Sequence, residues 1–367
     1  MKIYTVGGWV RDKLLGIEPN DKDFVVVGST TEEMLSLKFE RVGLAFPVFL
    51  HPVTKDEYAL ARTEKKVGNG YTGFDVNANP DITLEEDLMR RDFSINSIAY
   101  DEDTGQYIDP YGGIDDLKNK VLRHTSDAFS DDPLRVLRAL RLAAKYDLTI
   151  APETSRLLDK VVASADFKHL SEERFIVELE KVLSSNSYHY FKLAAEYEVY
   201  LYYYGPEFAG SFLCNAFKLP IKDTIPKDNY QDLFKKFSKV KLEMAILYNG
   251  VKPLFLQRID AEVKHLVVAY ANNFTLLNQI IESFETNDLY KLYQKTDFSR
   301  RPYVLQYMFL FRNSSMWTRI DKTVEDSIFN LFNSYKRALA THAFDNMSVP
   351  EILEYKARLF ASIKETI

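Results

Sequence analysis

The chain has 367 residues, a hydrophobic fraction of 46% and a formal net charge of −6 at pH 7. This length suffices for two or three domains with apolar cores. The negative charge excludes a general attraction to nucleic acid, so an RNA partner would require a local basic surface. The single cysteine, Cys214, excludes an internal disulfide framework and a cysteine-based zinc site, which favours a reducing, cytoplasmic location.

Two further features of the composition bound the class of protein. The sequence has no run of about 18 apolar residues, and its N-terminus lacks the apolar region of a secretory signal. We therefore expect no membrane span. No feature of the sequence indicates an oligomer.

Strand-like and helix-like segments alternate over roughly the first 125 residues. Apolar and β-branched runs predict strands at 2–6, 24–28, 47–51, 57–61, 93–100 and 105–109. Thr30 with Glu33, and Thr83 with Glu86, have the spacing of helix-capping boxes. The lysine- and glycine-rich stretch 65–74 is typical of a mobile loop. Together these segments predict a domain around a small mixed sheet.

The pattern becomes helical from Asp131 onward. Asp132 is a candidate helix cap, and Pro133 follows at the first helical position. Ser171 has the same capping role for a predicted helix that ends near Leu183. Beyond about residue 205 the chain has helix-like periodic segments without a catalytic motif. The fold class predicted from these patterns is α+β, with the sheet confined to the N-terminal part.

The most informative stretch is Gly7-Gly8 at the start of a helix, followed by Asp21-Lys22-Asp23 at the start of an apolar strand. Glycines leave backbone N–H groups accessible at a helix start, where a phosphate is favoured. Side chains two apart on a strand point to the same side, so Asp21 and Asp23 form a carboxylate pair suited to Mg²⁺. A solvated Asp-Lys-Asp turn is the alternative interpretation. The pattern favours nucleotidyl or phosphoryl transfer.

These motifs resemble those of class II tRNA nucleotidyltransferases, the CCA-adding enzymes, most of all their gammaproteobacterial branch. The resemblance covers about residues 1–185 and is carried, in family order, by GGWVRDKLLG, DKD before FVVVG, ARTEKKVGNGYTGF, RRDFSINSIAYD, DPYGGIDDLKNKVLRH, DDPLRVLRALRLAAKY and HLSEERFIVELEKVL. It implies a polymerase β-like catalytic head at 1–125, a helical neck at 126–205 and a helical body and tail at 206–367. No histidine is immediately followed by an aspartate in the sequence, so we expect no HD phosphohydrolase site.

The resemblance also implies roles for the acidic residues of the head. Asp21 and Asp23 are expected to be catalytic and to bind the two Mg²⁺ ions of in-line nucleotidyl transfer. Glu57 aligns with an acidic residue of relatives and is expected to be a third catalytic carboxylate on that edge. The alternative for Glu57 is an ordinary exposed strand residue.

Five residues of the head are expected to bind the incoming nucleotide. Gly8 offers a backbone N–H and Arg11 a guanidinium to the triphosphate, although Arg11 could instead be a surface helix residue. Arg91 would reach the nucleotide, and Asp92 and Asn96 would bond the ribose hydroxyls. The alternative for Asp92 is a simple cap at a helix-to-strand corner.

The resemblance assigns base selection to Asp132 and Arg135, followed by Arg138. An arginine donor pair matches the cytosine O2 and N3 or the adenine N1, and an aspartate accepts from the amine of either base. Guanine and uracil present a carbonyl and an N–H at the same places, so both contacts become repulsive. The pair would thus select C and A without a template. The alternative is that Asp132 only caps the helix.

The resemblance therefore predicts an enzyme that adds C, C and A to the 3′ end of tRNA, with CTP and ATP as substrates and Mg²⁺ as cofactor. One alternative is a CC-adding, A-adding or poly(A) polymerase relative. A further alternative is a non-catalytic RNA-binding homologue. Residues after about 205 are expected to bind tRNA, and lysine-rich segments such as 235–241 are candidates for phosphate contacts.

Overall fold

The computed structural model describes residues 1–19, 21–42, 47–68, 74–185, 187–216, 236, 238–248, 260–314, 322–342, 344 and 347–366. The chain divides into two compact units, Met1–Gly205 and Pro206–Ile367. The boundary near residue 125 between a head and a neck stays a prediction.

A mixed sheet forms the centre of the first unit. The strands of this unit are β1 (Lys2–Val6), β2 (Asp23–Val27), β3 (Glu40–Val42), β4 (Val48–Leu50), β5 (Glu57–Leu60), β6 (Thr63–Lys66), β7 (Phe74–Asn77), β8 (Ala99–Asp101), β9 (Gln106–Ile108), β10 (Val121–Leu122) and β11 (Thr149–Ile150). Seven of them form one sheet in the order β3-β4-β5-β2-β1-β8-β9. All neighbours in it are antiparallel except β2 and β5, which run parallel with Asp23 opposite Glu57. The predicted small mixed sheet is confirmed.

Short helices cover both faces of this sheet. The helices of the first unit are α1 (Gly8–Leu14), α2 (Thr31–Ser36), α3 (Leu84–Met89), α4 (Gly113–Lys118), α5 (Leu134–Tyr146), α6 (Pro152–Val162), α7 (Ala165–Lys168), α8 (Glu172–Leu183), α9 (Ser187–Glu196) and α10 (Val199–Tyr204). Val25 packs in a cluster with Leu84 and Leu88 of α3, whereas Val26 packs with Met34 of α2. Successive strand residues point to opposite faces, so burial of both valines requires a cover on each side.

The two predicted capping boxes differ in the structure. The Thr83 side chain accepts from the backbone N–H of Glu86, and the Glu86 carboxylate accepts from that of Thr83, which completes the box. The Thr30 side chain accepts from the backbone N–H of Glu33, but the Glu33 carboxylate accepts from the Ser29 hydroxyl instead. Both threonines therefore begin helices, as predicted.

Two of the predicted segments are corrected by the structure. The predicted strand at 93–100 is a 3₁₀ helix at Ser94–Asn96 followed by the short strand β8. The turn forms because the Asp92 carboxylate accepts from the backbone N–H of Phe93 and from Asn96 Nδ2. The predicted loop at 65–74 begins and ends in the antiparallel ribbon of β6 and β7, and its residues 69–73 lie outside the described part.

The second unit is helical in its described residues. Its helices are Pro206–Ala216, Lys239–Leu247, Ala261–Ser283, Thr286–Lys295, Pro302–Ser314, Lys322–Ala340 and Val349–Thr366. Tyr293, Phe332, Tyr335 and Phe360 form a cluster of aromatic rings in contact with one another. Among the described residues, no helix is long and apolar enough to cross a membrane.

Candidate active site

A cavity of about 360 Å³ lies in the first unit, where α1, the turn after α3 and the start of α5 meet. Nine of the predicted site residues line it: Gly8, Arg11, Asp23, Arg91, Asp92, Asn96, Asp132, Arg135 and Arg138. Gly7, Arg90, Leu134 and Arg174 complete the lining. Residues far apart in sequence are thus brought together around one space.

A second cavity of about 270 Å³ shares Asp23, Arg90 and Arg91 with the first. Glu57 lines this second cavity and not the first. Its remaining walls include apolar residues of the central strands, among them Val25 and Val48. Asp21 lies just before β2 and lines neither of these two cavities. Asp23 therefore stands between two adjoining spaces.

The carboxylates at this edge repel one another. Asp23 begins β2 directly opposite Glu57 of β5. Burial raises the pKa of the Asp23 carboxyl, and the negative charges of Glu57 and then Asp21 raise it further, whereas Arg91 acts to lower it. Lys22, between the two aspartates, pairs with Glu102. The placement of Asp21 and Asp23 on the same side stays a prediction, because β2 begins only at Asp23.

Backbone geometry at the first glycine brings α1 close to this edge. Gly7 has φ +73°, a conformation that L residues rarely adopt, and it immediately precedes α1. A Cβ atom at Gly7 would lie 3.4 Å from Arg91 Nη1 and 3.9 Å from Asp23 Oδ2. The missing side chain therefore leaves room beside the arginine and the carboxylate.

The residues predicted to meet the sugar form a buried network. Asn96 Oδ1 accepts from Arg11 Nη1 at 2.6 Å, and Asn96 Nδ2 donates to Asp92 Oδ1 at 2.9 Å. Arg138 donates to Asp92 Oδ2 through Nε at 2.7 Å and Nη2 at 2.6 Å. Arg11 is only 7% exposed, so it is not a surface helix residue. Its Nη2 also donates to the Tyr146 hydroxyl.

This network fixes the charge of Asp92. Burial acts to raise the pKa of Asp92, but Arg138, with support from Asn96 and Arg135, lowers it to about 2. An aspartate with a lowered pKa stabilises the fold fully above its ordinary value, and that stabilisation is lost as the pH falls through about 2. Asp92 is therefore ionised at neutral pH, and its protonation contributes only to unfolding in acid.

We expect Asp92→Asn to lower the free energy of unfolding at pH 7 by about 3 kcal/mol. This value lies at the low end of the free-energy cost of breaking a buried ion pair, because Arg138, left without its partner, is still in contact with solvent. The difference from the unchanged chain should shrink as the pH falls toward 2. Denaturant titrations at several pH values measure this, with the exposed Asp103→Asn as the matched control. Equal stability of Asp92→Asn and the unchanged chain at pH 7 would contradict the expected role.

The predicted base-selecting pair lies at the start of α5. Asp132 Oδ1 accepts from the backbone N–H of Leu134 at 3.1 Å, so Asp132 caps the first turn. Arg174 of α8 donates to both carboxylate oxygens, at 3.1 Å to Oδ1 and 2.7 Å to Oδ2. A carboxylate has about four acceptor sites, which leaves Oδ2 able to accept one more hydrogen bond.

Arg135 is held by main-chain carbonyls. Its Nη1 donates to the carbonyl oxygen of Ala128 at 3.1 Å, and its Nη2 donates to that of Arg90 at 2.7 Å. A guanidinium has five N–H donors, so donors remain for a ligand. Asp132 and Arg135 therefore each combine a structural contact with a free edge toward the cavity they line.

The sequence interpretation missed three residues of this region: Asp87, Arg90 and Arg174. Asp87 is fully buried and binds Arg90 and Arg91. A signal was present, since Asp87 interrupts the apolar positions Leu84 and Leu88 at helical spacing. Arg174 had no comparable local signal, because its partner Asp132 lies 42 residues away in the chain.

The lysine-rich segment at 235–241 is only partly described. Lys236 pairs with Glu262, and Lys241 pairs with Asp260 and Glu262. These two lysines are thus already matched by carboxylates of the same unit. Lys235 lies outside the described residues.

Known proteins resemble parts of this sequence and the fold of nearly the whole chain. Residues 3–123 match the family model of the Poly A polymerase head domain. A Multifunctional CCA protein of Tolumonas auensis is 57% identical over 190 residues, which cover 51% of this chain and 46% of that protein. One of Aliivibrio salmonicida is 58% identical over 188 residues, with 50% and 46% covered. The chain thus spans about half the length of the curated relatives it matches.

Solved structures show the fold of nearly the whole chain. The Thermotoga maritima CCA-adding enzyme complexed with tRNA has a TM-score of 0.69 at 22% identity, over 99% of this chain and 87% of that one. A CCA-adding enzyme in complex with ATP has a TM-score of 0.70 at 21% identity, over 98% and 85%. Residues 3–123 are therefore similar to the Poly A polymerase head domain, and the resemblance of this chain to the class II CCA-adding enzymes is confirmed.

Proposed function

We propose that this chain is a template-independent nucleotidyltransferase that adds C, C and A to the 3′ end of tRNA from CTP and ATP. The observation that carries the proposal is the first cavity. This cavity brings together the Asp23 carboxylate, the two arginines expected to bind the triphosphate (Arg11 and Arg91) and the Asp132–Arg135 pair. Its volume suits a nucleotide. The structural neighbours that were solved with tRNA and with ATP support the same assignment.

In the described part of the chain, no three acidic, histidine or cysteine residues converge into a ready metal site, but the carboxylate oxygens at this edge are of the kind that a divalent cation binds. Nucleotidyltransferases generally use divalent metal ions, and the ligands that Mg²⁺ prefers are oxygens. Partial desolvation and the negative charges of Glu57 and Asp21 raise the pKa of the Asp23 carboxyl, and a bound cation would offset this repulsion. We assign Asp21 and Asp23 as the residues that would hold Mg²⁺, with Glu57 as a third carboxylate. Bound there, the metal lowers the pKa of the attacking hydroxyl and neutralises the leaving pyrophosphate.

The chain's own residues would orient the nucleotide. Gly8 and Arg11 at the start of α1 and Arg91 beside Asp23 would bind the triphosphate, because guanidinium groups and backbone N–H groups match phosphate oxygens. Asn96 would present the remaining acceptor site of its Oδ1 to the ribose hydroxyls, and Asp92, whose acceptor sites are taken by Phe93, Asn96 and Arg138, would hold it in place. Transfer forms a bond from the RNA 3′ oxygen to the α-phosphorus and releases pyrophosphate.

The second cavity gives the RNA a place on the other side of Asp23. In-line transfer requires the attacking oxygen to approach opposite the leaving group, and Asp23 lines both spaces together with Arg90 and Arg91. Its apolar wall and the nearby Arg62 and Arg90 suit a terminal nucleotide with its phosphate. Two adjoining spaces that share one carboxylate favour a transferase over a simple nucleotide-binding protein.

Base choice would rest on the free edges of Asp132 and Arg135. The remaining acceptor site of Asp132 Oδ2 would take the amine of cytosine or adenine, and Arg135 would donate to the adjoining ring nitrogen. Arg174 and the carbonyl of Arg90 hold these two side chains in place. A rigid pair of this kind rejects guanine and uracil by leaving buried polar groups mismatched.

The test is incubation of the full chain with tRNA that lacks its 3′ end, with each labelled nucleotide and with all four, followed by sequencing of the products. The proposal expects C, C and A in that order. Addition of C alone, of A alone or of long A tracts would instead identify the narrower relatives. No incorporation with Mg²⁺ present would favour a non-catalytic RNA-binding homologue.

The second unit is the proposed site of most tRNA affinity. The arginines that line the two cavities, among them Arg62, Arg90, Arg91 and Arg138, are paired with carboxylates, so we expect most phosphate contacts beyond the terminal nucleotide to come from the second unit. We expect removal of residues after about 205 to weaken tRNA binding at least about tenfold and to flatten its salt dependence. CTP binding should persist if the remaining part folds, which circular dichroism checks. Equal tRNA affinity and equal salt slopes of the two chains would contradict this role.

A further inference from the structure

Asp87 is a buried charged residue to which the proposed mechanism gives no role. It lies in the last turn of α3, and its side chain is completely shielded from solvent. Arg90 and Arg91 follow it by about one helical turn. An unpaired carboxylate at such a place would cost several kcal/mol of folding free energy. Its contacts therefore identify what the charge is for.

The two oxygens of Asp87 serve two different arginines. Oδ2 accepts from Arg91 through Nε at 3.3 Å and Nη2 at 3.0 Å. Oδ1 accepts from Arg90 through Nε at 3.1 Å and Nη2 at 2.6 Å, and from the backbone N–H of Arg62 at 3.2 Å. One carboxylate thus fixes two guanidinium groups and the end of the segment that leads into β6.

The charge of Asp87 is maintained by these partners. Burial acts to raise its pKa, but the positive charges of Arg91 and Arg90 and their hydrogen bonds lower it below the ordinary value. A second carboxylate, Glu64, also balances positive charge in this group, because it accepts hydrogen bonds from Arg90 Nη1 and from Arg62 Nε, each at 2.9 Å. Among the described side chains, the carboxylate that accepts hydrogen bonds from Arg91 is that of Asp87, so Asp87 orients it.

Arg91 faces the reacting side of the site. It lines both cavities, its charge opposes the raised pKa of Asp23, and its Nη1 lies where a side chain at Gly7 would come within 3.4 Å. The side chain is only 17% exposed. Its Nε and Nη2 are directed to Asp87, which leaves Nη1 on the side of Gly7 and Asp23.

We propose that Asp87 is a positioning residue for nucleotide binding: its two-bond contact turns Arg91 so that Nη1 faces the triphosphate site beside Gly7 and Asp23. The inference rests on the proposed function, since it takes a nucleoside triphosphate as the ligand of Arg91. Asp87 does not touch the ligand. Its effect on the nucleotide should therefore pass through Arg91 and vanish when Arg91 is absent.

A double-mutant cycle on the full chain tests this dependence. Calorimetry measures the Kd of CTP with Mg²⁺ for the unchanged chain, Asp87→Asn, Arg91→Ala and the double variant. An asparagine keeps the shape but presents an N–H₂ group to one arginine, and a lost pair of charge-assisted bonds weakens binding about tenfold or more. In the Arg91→Ala background the same change should weaken binding less than about twofold. The exposed Glu85→Gln, which removes one charge from the same helix, should leave the Kd unchanged.

Each outcome decides the inference. Equal weakening by Asp87→Asn with and without Arg91 would overturn it, because a general loss of structure does not depend on Arg91. If Asp87→Asn does not fold, Arg91→Lys replaces it, since a lysine keeps the charge but cannot make the two-bond contact. CTP affinity as poor as that of Arg91→Ala supports the inference, and near-normal affinity overturns it. Absence of CTP binding by the unchanged chain would contradict the proposed function itself, whereas an additive cycle contradicts the role of Asp87 alone.

Discussion

Replacement of Asp21 or Asp23 by alanine is expected to lower the rate of nucleotide addition at least about 10³-fold, because a cation held at this edge would supply most of the charge stabilisation in the transition state. The fold should survive, since both carboxylates are exposed and lie outside the apolar clusters of the sheet. Single-turnover extension of tRNA lacking its 3′ end, at saturating CTP and Mg²⁺, measures the rate. The exposed Glu18→Gln serves as the matched control.

We also expect Asp23 to influence the unfolding temperature of the chain. Its raised pKa means that the ionised form is disfavoured in the folded chain, and this cost is present once the pH exceeds that pKa. Asp23→Asn, measured without metal at pH 7, should therefore unfold at the same temperature or slightly higher, by about 1–3 °C, since solvent screens the charge. Near-normal addition by Asp23→Asn or Asp21→Ala would contradict the assignment of the carboxylate edge.

The second large effect is expected for base selection. Asp132→Ala removes the acceptor for the cytosine or adenine amine, so incorporation of C and A relative to U and G should fall at least about tenfold. Overall addition should slow less than this ratio changes. The ratio is measured by competition of all four nucleotides for one tRNA. Ser164→Ala removes the cap of α7 at a similar cost in stability and should leave the ratio intact.

This experiment also separates the two contacts of Asp132. The residue caps α5 through Leu134 and pairs with Arg174, so its removal disturbs structure as well as chemistry. A purely structural role would lower stability and the rate for all four nucleotides together. An unchanged ratio with lowered stability would therefore leave Asp132 as a helix cap alone.

The sequence predicted the parts of this site that depend on local spacing. Gly7-Gly8 at a helix start and Asp21 with Asp23 near a strand start are patterns of a few residues. In the structure Gly7 directly precedes α1, and β2 begins at Asp23, two residues after Asp21. The strand predicted at 93–100 was wrong at its beginning. Side-chain bonds from Asp92 to Asn96 and to the Phe93 backbone stabilise a turn there, and an apolar pattern does not reveal such bonds.

The remaining parts depend on contacts between distant segments. Arg174 meets Asp132 only because α8 packs against α5, and Arg135 is oriented by the carbonyl of Arg90. Arg141, which looks like one more member of a basic row in the sequence, instead pairs with the buried Glu178. The arginines at helical spacing, Arg135, Arg138 and Arg141, therefore bind different partners, which single-sequence periodicity does not identify.

The most direct measurement is the affinity of the free chain, without RNA, for CTP, ATP, UTP and GTP in Mg²⁺. If Asp132 and Arg135 read the base on their own, CTP and ATP should bind at least about tenfold more tightly than UTP and GTP. Equal binding of all four triphosphates, or binding of none, would contradict selection by the protein and with it the proposed template-independent addition of C and A.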